Sequence, residues 1–218
     1  MSASLQEKER RRPEKNVELT LAVKVEEERE PIFASVPMFK GTWIVKPLLT
    51  PNQCETIIHA AETVGFGATP YPKSYRGNTR VIIRDVMLAK NMWPLLASNI
   101  PRVIKDKEGT WEVQGLNSWW RIAKYWEGDR FERHVDGVNR VGALCSKITV
   151  NIYLNEEYVG GHTRLYQGGK PVVKVRGTTG SALLFLQPPV MNLLHDGSEV
   201  MCGNKYLMRT DVMYRKIG

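Results

Sequence analysis

The sequence predicts an α+β fold: a double-stranded β-helix, or jelly-roll, core with flanking N-terminal helices. Three observations predict it. Helical patterns are confined to the first half, near residues 50–65 and 91–99. From Asn117 onward, short alternating runs are separated by Gly and Pro pairs, the punctuation of a barrel or sandwich. Within that half, His134 and Asp136 stand two positions apart, which puts both side chains on one face of an extended strand.

The chain has 218 residues, enough for one well-buried domain with an appended tail. No apolar run approaches the roughly 18 residues that span a membrane, and the first residues have no apolar core of the secretory type. Cys54, Cys145 and Cys202 are scattered and odd in number, so they give neither a disulfide framework nor a zinc spacing. The expected compartment is reducing, cytoplasm or nucleus. The net charge is +8. Residues 1–30 hold seven Lys/Arg and eight Glu, which leaves +9 on the remainder. A basic domain attracts acidic substrates or nucleic acid, although scattered surface lysines explain most of such a charge.

Residues 1–30 are charge-dense and poor in aromatics, and read as a disordered or weakly helical tail ahead of a single domain over residues 31–218. Its Arg10-Arg11-Arg12-Pro13 run and its acidic stretch at residues 26–30 read as solvated. Residues 42–46 form a strand. Thr50 caps a helix, Pro51 takes its first position, Gln53 completes a capping box, Ile57, Ile58 and Ala61 supply the apolar face, and Gly65 ends it. Residues 67–78 carry turn formers, two tyrosines and two basic residues, the composition of either a binding loop or a connector. Residues 79–85 read as a strand and 91–99 as a helix with Pro94 in its first turn. Residues 119–126 lead to His134. Along residues 148–154, Ile148, Val150, Ile152 and Leu154 share a face. Shorter strands follow at 162–166, 172–176 and 181–186; Pro188-Pro189 breaks the chain before the apolar run 190–194, and the last strand covers residues 205–214.

His195 follows that apolar run, 61 residues after His134. Two histidines and one carboxylate are the facial triad of non-haem Fe(II) oxygenases, which keeps positions open for co-substrate and O₂. A dicarboxylate co-substrate needs a cation deep in the barrel. The last strand offers two on one face, Lys205 and Arg209. A cation facing inward implies an anionic ligand, because a buried, unpaired one is costly.

Together these pieces resemble the Fe(II)/2-oxoglutarate dioxygenases, specifically the prolyl 4-hydroxylase-like branch, from about Thr42 to Tyr214. The matching pieces, in order, are Arg80 ahead of a helix containing Trp93, Gly115-Leu116-Asn117, Arg121 to Tyr125 with Gly128, His134-Val135-Asp136-Gly137, Ile152 to Asn155, Gly160-Gly161 with Thr163, Gly180 to Phe185, and His195 with Lys205. The resemblance implies that His134, Asp136 and His195 hold iron, that Lys205 pairs with the distal carboxylate of 2-oxoglutarate, and that Tyr125 contacts the same co-substrate. Arg209 stays an alternative anchor. Thr163 is expected to be structural. Residues 71–80 resemble a mobile loop that closes over substrate, which makes Tyr75, Asn78 and Arg80, with Arg121, substrate-contact candidates. His162 stands where an acidic residue is common, and Trp119-Trp120 read as an aromatic wall or as core.

The implied reaction consumes O₂ and 2-oxoglutarate, releases succinate and CO₂, and hydroxylates an unactivated C–H, with ascorbate as a supporting reductant. A carboxylate at position 136 argues for hydroxylation over halogenation. The expected substrate is a prolyl or other residue of a protein or peptide, a free amino acid, or another small molecule. Competing readings are a nucleic-acid oxidative demethylase, which predicts salt-sensitive binding, a catalytically silent jelly-roll binding module, and a cupin-type isomerase that needs no 2-oxoglutarate.

Overall fold

The computed structural model describes residues 4–23 and 30–218. Its longest strand, Lys205–Lys216, runs between Trp119–Tyr125 on one side and Leu144–Tyr153 on the other, antiparallel to both. Thr79–Arg84 extends the sheet beyond Trp119–Tyr125, and Ala182–Leu186 followed by Thr42–Lys46 extend it beyond Leu144–Tyr153. Among the described residues this sheet has twelve strands. A four-stranded sheet, ordered Lys170–Val175, Thr163–Gln167, His195–Gly197 and Phe131–His134, completes the jelly roll.

The two-residue period of a strand sorts each face. Ile148, Val150 and Ile152 enter the main core with Met208, Val212 and Leu184. The helix Pro51–Val64 supplies Cys54, Ile57 and Ala61 to that core. The alternate residues Thr149, Asn151 and Tyr153 therefore face the other way. On that side Tyr153, Leu183 and Phe185 pack with Leu165 and Val175 of the smaller sheet. The helix begins as its sequence predicts: Thr50 Oγ1 accepts from Gln53 N at 3.1 Å, Gln53 Oε1 accepts from Thr50 N at 2.7 Å, and Gly65 ends it at φ 88°. At this φ an L side chain would be strained.

Three expectations are corrected. The helix expected over residues 91–99 begins earlier, as Val86–Met92, because Asp85 caps it by accepting from Leu88 N at 2.9 Å. Pro94 then starts a separate short helix, Pro94–Ala97, since it has no N–H to continue the first. The segment before Asn117 is already β: Val103–Asp106 and Gly109–Leu116 pair as a hairpin.

The third correction concerns the N-terminal residues. Residues 4–23 are packed on the domain. Ser4 and Glu7 form a capping box for the helix Leu5–Arg11, Lys15–Glu18 pairs in parallel with Thr79–Arg84, and Leu21 and Val23 enter the main core. Glu9 is buried. It pairs with Lys124 at 3.0 Å and accepts from Thr79 Oγ1 and Trp126 Nε1, both at 3.0 Å. Composition argued for disorder; specific partners outweigh it, because a charge-rich segment folds when its charges find buried complements. Arg10 joins the fold too, reaching Asp129 at 2.5 Å and Gly77 O at 2.8 Å. Most of the acidic stretch lies at residues 24–29, outside the described residues.

Replacing Glu9 by Ala should cost about 2–3 kcal/mol of unfolding free energy in denaturant titration, since Lys124 keeps only Glu62 and two further donors lose their acceptor. An unchanged midpoint would mean the arm contributes nothing to the fold.

Candidate active site

His134 ends the strand Phe131–His134, and Asp136 follows two residues later. The strand His195–Gly197 pairs beside it with His195 opposite His134. This register brings one ligand-type atom from each of His134, Asp136 and His195 within 4.8 Å of one another. Both imidazoles turn the same way. His134 Nδ1 lies 2.8 Å from Glu132 O and His195 Nδ1 lies 3.0 Å from Leu193 O. With Nδ1–H donated to the backbone, each Nε2 carries the lone pair, and these lie 3.5 and 4.0 Å from Asp136 Oδ1. Metal-binding histidines are oriented in this manner. Burial lowers the pKa of His195 and keeps it neutral, as a ligand must be.

Asp136 is buried, which alone would raise its pKa. The Arg209 guanidinium at 2.9 Å and the two imidazoles outweigh burial and hold the carboxyl well below the usual carboxylate range. Thr149 Oγ1 donates to its second oxygen at 2.9 Å. Arg209 also reaches Asp211 at 3.2 Å. Arg121 joins the same acid at 3.3 Å and Asn139 at 2.9 Å. Two imidazole nitrogen donors and one fixed carboxylate suit a divalent iron with open positions.

Lys205 lies on the same strand face as Arg209, four residues away, beside Tyr125 in register. It is 3% exposed and has no carboxylate partner among the described residues. Its Nζ donates to Gly161 O at 2.6 Å and is surrounded by the rings of Tyr125, Tyr153 and Tyr158. Burial pulls its pKa down to about 8. Tyr153 Oη and Thr163 Oγ1 are 2.8 Å apart, and Thr163 lines the same cleft.

The cleft is lined by the triad, Arg76, Arg121, Tyr125, Phe131, Asn151, Thr163, Lys205 and Arg209. Of the loop candidates, Tyr75 stands at its rim with its ring edge on Phe131 at 5.6 Å. Asn78 is buried and accepts from Arg76 Nε at 3.0 Å. Arg80 is held by Glu14 at 2.5 Å and does not line the cleft. Trp120 is wholly buried in the core, its Nε1 bonded to Asp85 O, and His162 sits in a neighbouring groove with Arg164 and Lys174. Sequence reasoning passed over Arg76, Thr149, Asn151 and Tyr153. The last three were legible as the alternate positions of the strand whose apolar face was read; Arg76 had no signal beyond lying in the loop. A separate cleft by Val86, Trp93, Leu116 and Met213 has no acid, histidine or cysteine in its lining.

Residues 120–210 match the sequence model of the 2OG-Fe(II) oxygenase superfamily. The matched segment holds His134, Asp136, His195 and Lys205. Among curated proteins none matches. Solved structures share the fold over about four-fifths of the chain. A viral collagen prolyl hydroxylase from Paramecium bursaria Chlorella virus-1, in a 2-oxoglutarate complex, has a TM-score of 0.58 at 19% identity, covering 81% of this chain and 97% of that one. A Pseudomonas putida prolyl-4-hydroxylase has a TM-score of 0.58 at 14% identity, covering 82% and 94%. A prolyl hydroxylase from Trichoplax adhaerens, bound to a hypoxia inducible factor peptide fragment, has a TM-score of 0.59 at 20% identity, covering 79% and 83%. No helix of the described residues is long and apolar enough to cross a membrane.

Lys205 generates a pH prediction. Its folded pKa of about 8 lies below the ordinary 10.5, so the ligand-free fold is penalised while Lys205 is protonated, and that penalty is relieved as pH rises from about 8 to 10.5. Lys205→Met should be more stable than the parent by roughly 1–3 kcal/mol at pH 7 without ligand, and the difference should shrink toward pH 10. A pH-independent difference would show that burial does not perturb this lysine.

Proposed function

We propose that the chain hydroxylates an unactivated C–H of a prolyl or similar amino-acid unit, holding iron with His134, Asp136 and His195 and 2-oxoglutarate with Lys205 and Tyr125. The observation that carries this reading is the convergence of three ligand-type atoms beside a buried lysine that has no acid partner among the described residues. Iron held by His134, Asp136 and His195 would supply the redox chemistry that links consumption of O₂ and 2-oxoglutarate, with release of succinate and CO₂, to hydroxylation of a C–H bond. The peptide in the Trichoplax structure and the prolyl hydroxylase fold support an amino-acid unit as substrate. Buried free Cys54 and Cys145 suit a reducing compartment.

The chain's own residues orient and exclude. The backbone carbonyls of Glu132 and Leu193 lock both imidazoles, while Thr149 and Arg209 fix the Asp136 carboxylate. Lys205 supplies charge for the distal carboxylate of 2-oxoglutarate. Tyr153 and Thr163 can turn their hydroxyls to the same group. Arg209 is already committed to Asp136 and Asp211, which favours Lys205 as the anchor. Phe131 stacks on His134 with centroids 3.7 Å apart and closes one side of the site to water.

Anaerobic titration with Fe(II) and 2-oxoglutarate should give the visible metal-to-ligand charge-transfer band of a chelated keto acid, and His195→Ala should lose it. A folded protein without the band would sink the oxygenase chemistry. Lys205→Ala should weaken 2-oxoglutarate binding roughly 100-fold or more, about 3 kcal/mol, with metal affinity changed far less. If Arg209→Ala does this instead, the anchor is Arg209.

A further inference from the structure

Among the cations lining the metal cleft, Arg76 stands apart. Arg121 and Arg209 have carboxylate partners, and Lys205 lies at the position proposed for the co-substrate. Asp196, an acid of the lining, is held by Arg164 and by Tyr166, both at 2.6 Å. Arg76 has no ion-pair partner among the described residues, and of its guanidinium N–H groups only Nε–H has a protein acceptor, Asn78 Oδ1. Its head lies 4.5 Å from the Phe131 ring centroid, and Phe131 stacks in turn on His134. The guanidinium edge without a protein acceptor is therefore one aromatic ring removed from the cluster of His134, Asp136 and His195. A cation here is discouraged by burial and by Arg80 and Arg209 nearby, with Tyr125 and Asp136 opposing them.

The backbone holds Arg76 in place. Residue 76 bridges to Phe131, Gly77 N donates to Arg130 O at 2.8 Å, and Glu132 N donates to Tyr75 O at 2.8 Å. Arg10 Nη1 adds a bond to Gly77 O at 2.8 Å. Contact with Phe131 and Tyr71 stabilises the face of the guanidinium, but a ring face does not satisfy N–H groups in the guanidinium plane. Charge counting points the same way. Iron and 2-oxoglutarate offset each other, Lys205 and Arg76 remain, and every other cation in the lining has an acid. The loaded cleft is net positive, and Arg76 is the lining cation with neither acid nor co-substrate assigned to it.

We propose that Arg76 receives a carboxylate of the primary substrate, so that the hydroxylated unit carries an acidic group close to its reacting carbon. The planar fork of arginine suits bidentate carboxylate recognition. The carboxylate comes from a free amino acid or from an Asp or Glu side chain beside the reacting unit of a peptide. This inference rests on the oxygenase reading of the same cleft.

The test uses full-length protein loaded with Zn(II), as an inert metal, and 2-oxoglutarate. Calorimetry compares two probe sets: free L-proline and other free L-amino acids against their carboxamides, and acetylated, amidated Ala-Pro-Asp against Ala-Pro-Asn. In at least one set the acid should bind 10-fold or more tighter than its amide. In Arg76→Met that preference should fall below about 3-fold, Arg76→Lys should restore part of it, and 2-oxoglutarate affinity should change less than about 2-fold in both variants. The set that shows the preference identifies the source of the carboxylate. Equal binding of acids and amides, absence of any acid-dependent binding, or an acid preference that survives in Arg76→Met overturns the proposal. A wild type that fails to bind metal and 2-oxoglutarate brings down the oxygenase reading instead, so the two failures are distinguishable. Succinate release from the Fe(II) enzyme with the same probes should rank them in the same order.

Discussion

A carboxylate taken out of water is the constraint on which this structure depends. Asp136 is buried, and an isolated buried charge is among the most costly things a fold can contain. Thr149 and Arg209 answer it directly, and the imidazoles of His134 and His195 face it from the smaller sheet. Arg209 shares its charge with Asp211, and Asp211 gathers Arg121, Asn139 and Gln187. The partners of one acid thus come from strands on both sheets. The arrangement leaves the two Nε2 atoms and one carboxylate oxygen close together, so the solution of a stability problem and the construction of the proposed metal site are the same set of contacts.

Much of this was legible in the sequence because it is written in short-range spacing. The i, i+2 relation of His134 and Asp136 and the i, i+4 relation of Lys205 and Arg209 hold on any extended strand, whatever lies beside it. The capping box at Thr50 and Gln53 is equally local. The illegible parts depend on partners distant in sequence. Nothing in residues 5–11 reports that Glu9 meets Lys124, so a charge-dense segment reads as solvated. Nothing around Arg76 reports that Phe131 will lie beneath it. Thr149, Asn151 and Tyr153 are an intermediate case: their apolar neighbours announce which face is core, and the remaining face follows by alternation once one asks what it lines.

The cleft sorts its cations by what they already hold. Arg209 and Arg121 are tied to acids of the protein and shape it. Lys205 and Arg76 have no acid partner among the described residues, which is what their proposed ligand roles require. The distinction matters more than total charge, because a cation satisfied by the protein offers a ligand little that water does not.

The position of Lys205–Lys216 between Trp119–Tyr125 and Leu144–Tyr153 has a consequence for how the molecule comes into being. Synthesis delivers both flanking strands before the strand that joins them. Until it emerges from the ribosome, each flank shows an unpaired edge, the kind of surface that invites wrong pairing. The same late strand brings Lys205 and Arg209. The nascent chain therefore passes through a stage in which two halves of a sheet await their middle, and Asp136 gains its arginine only when that gap closes.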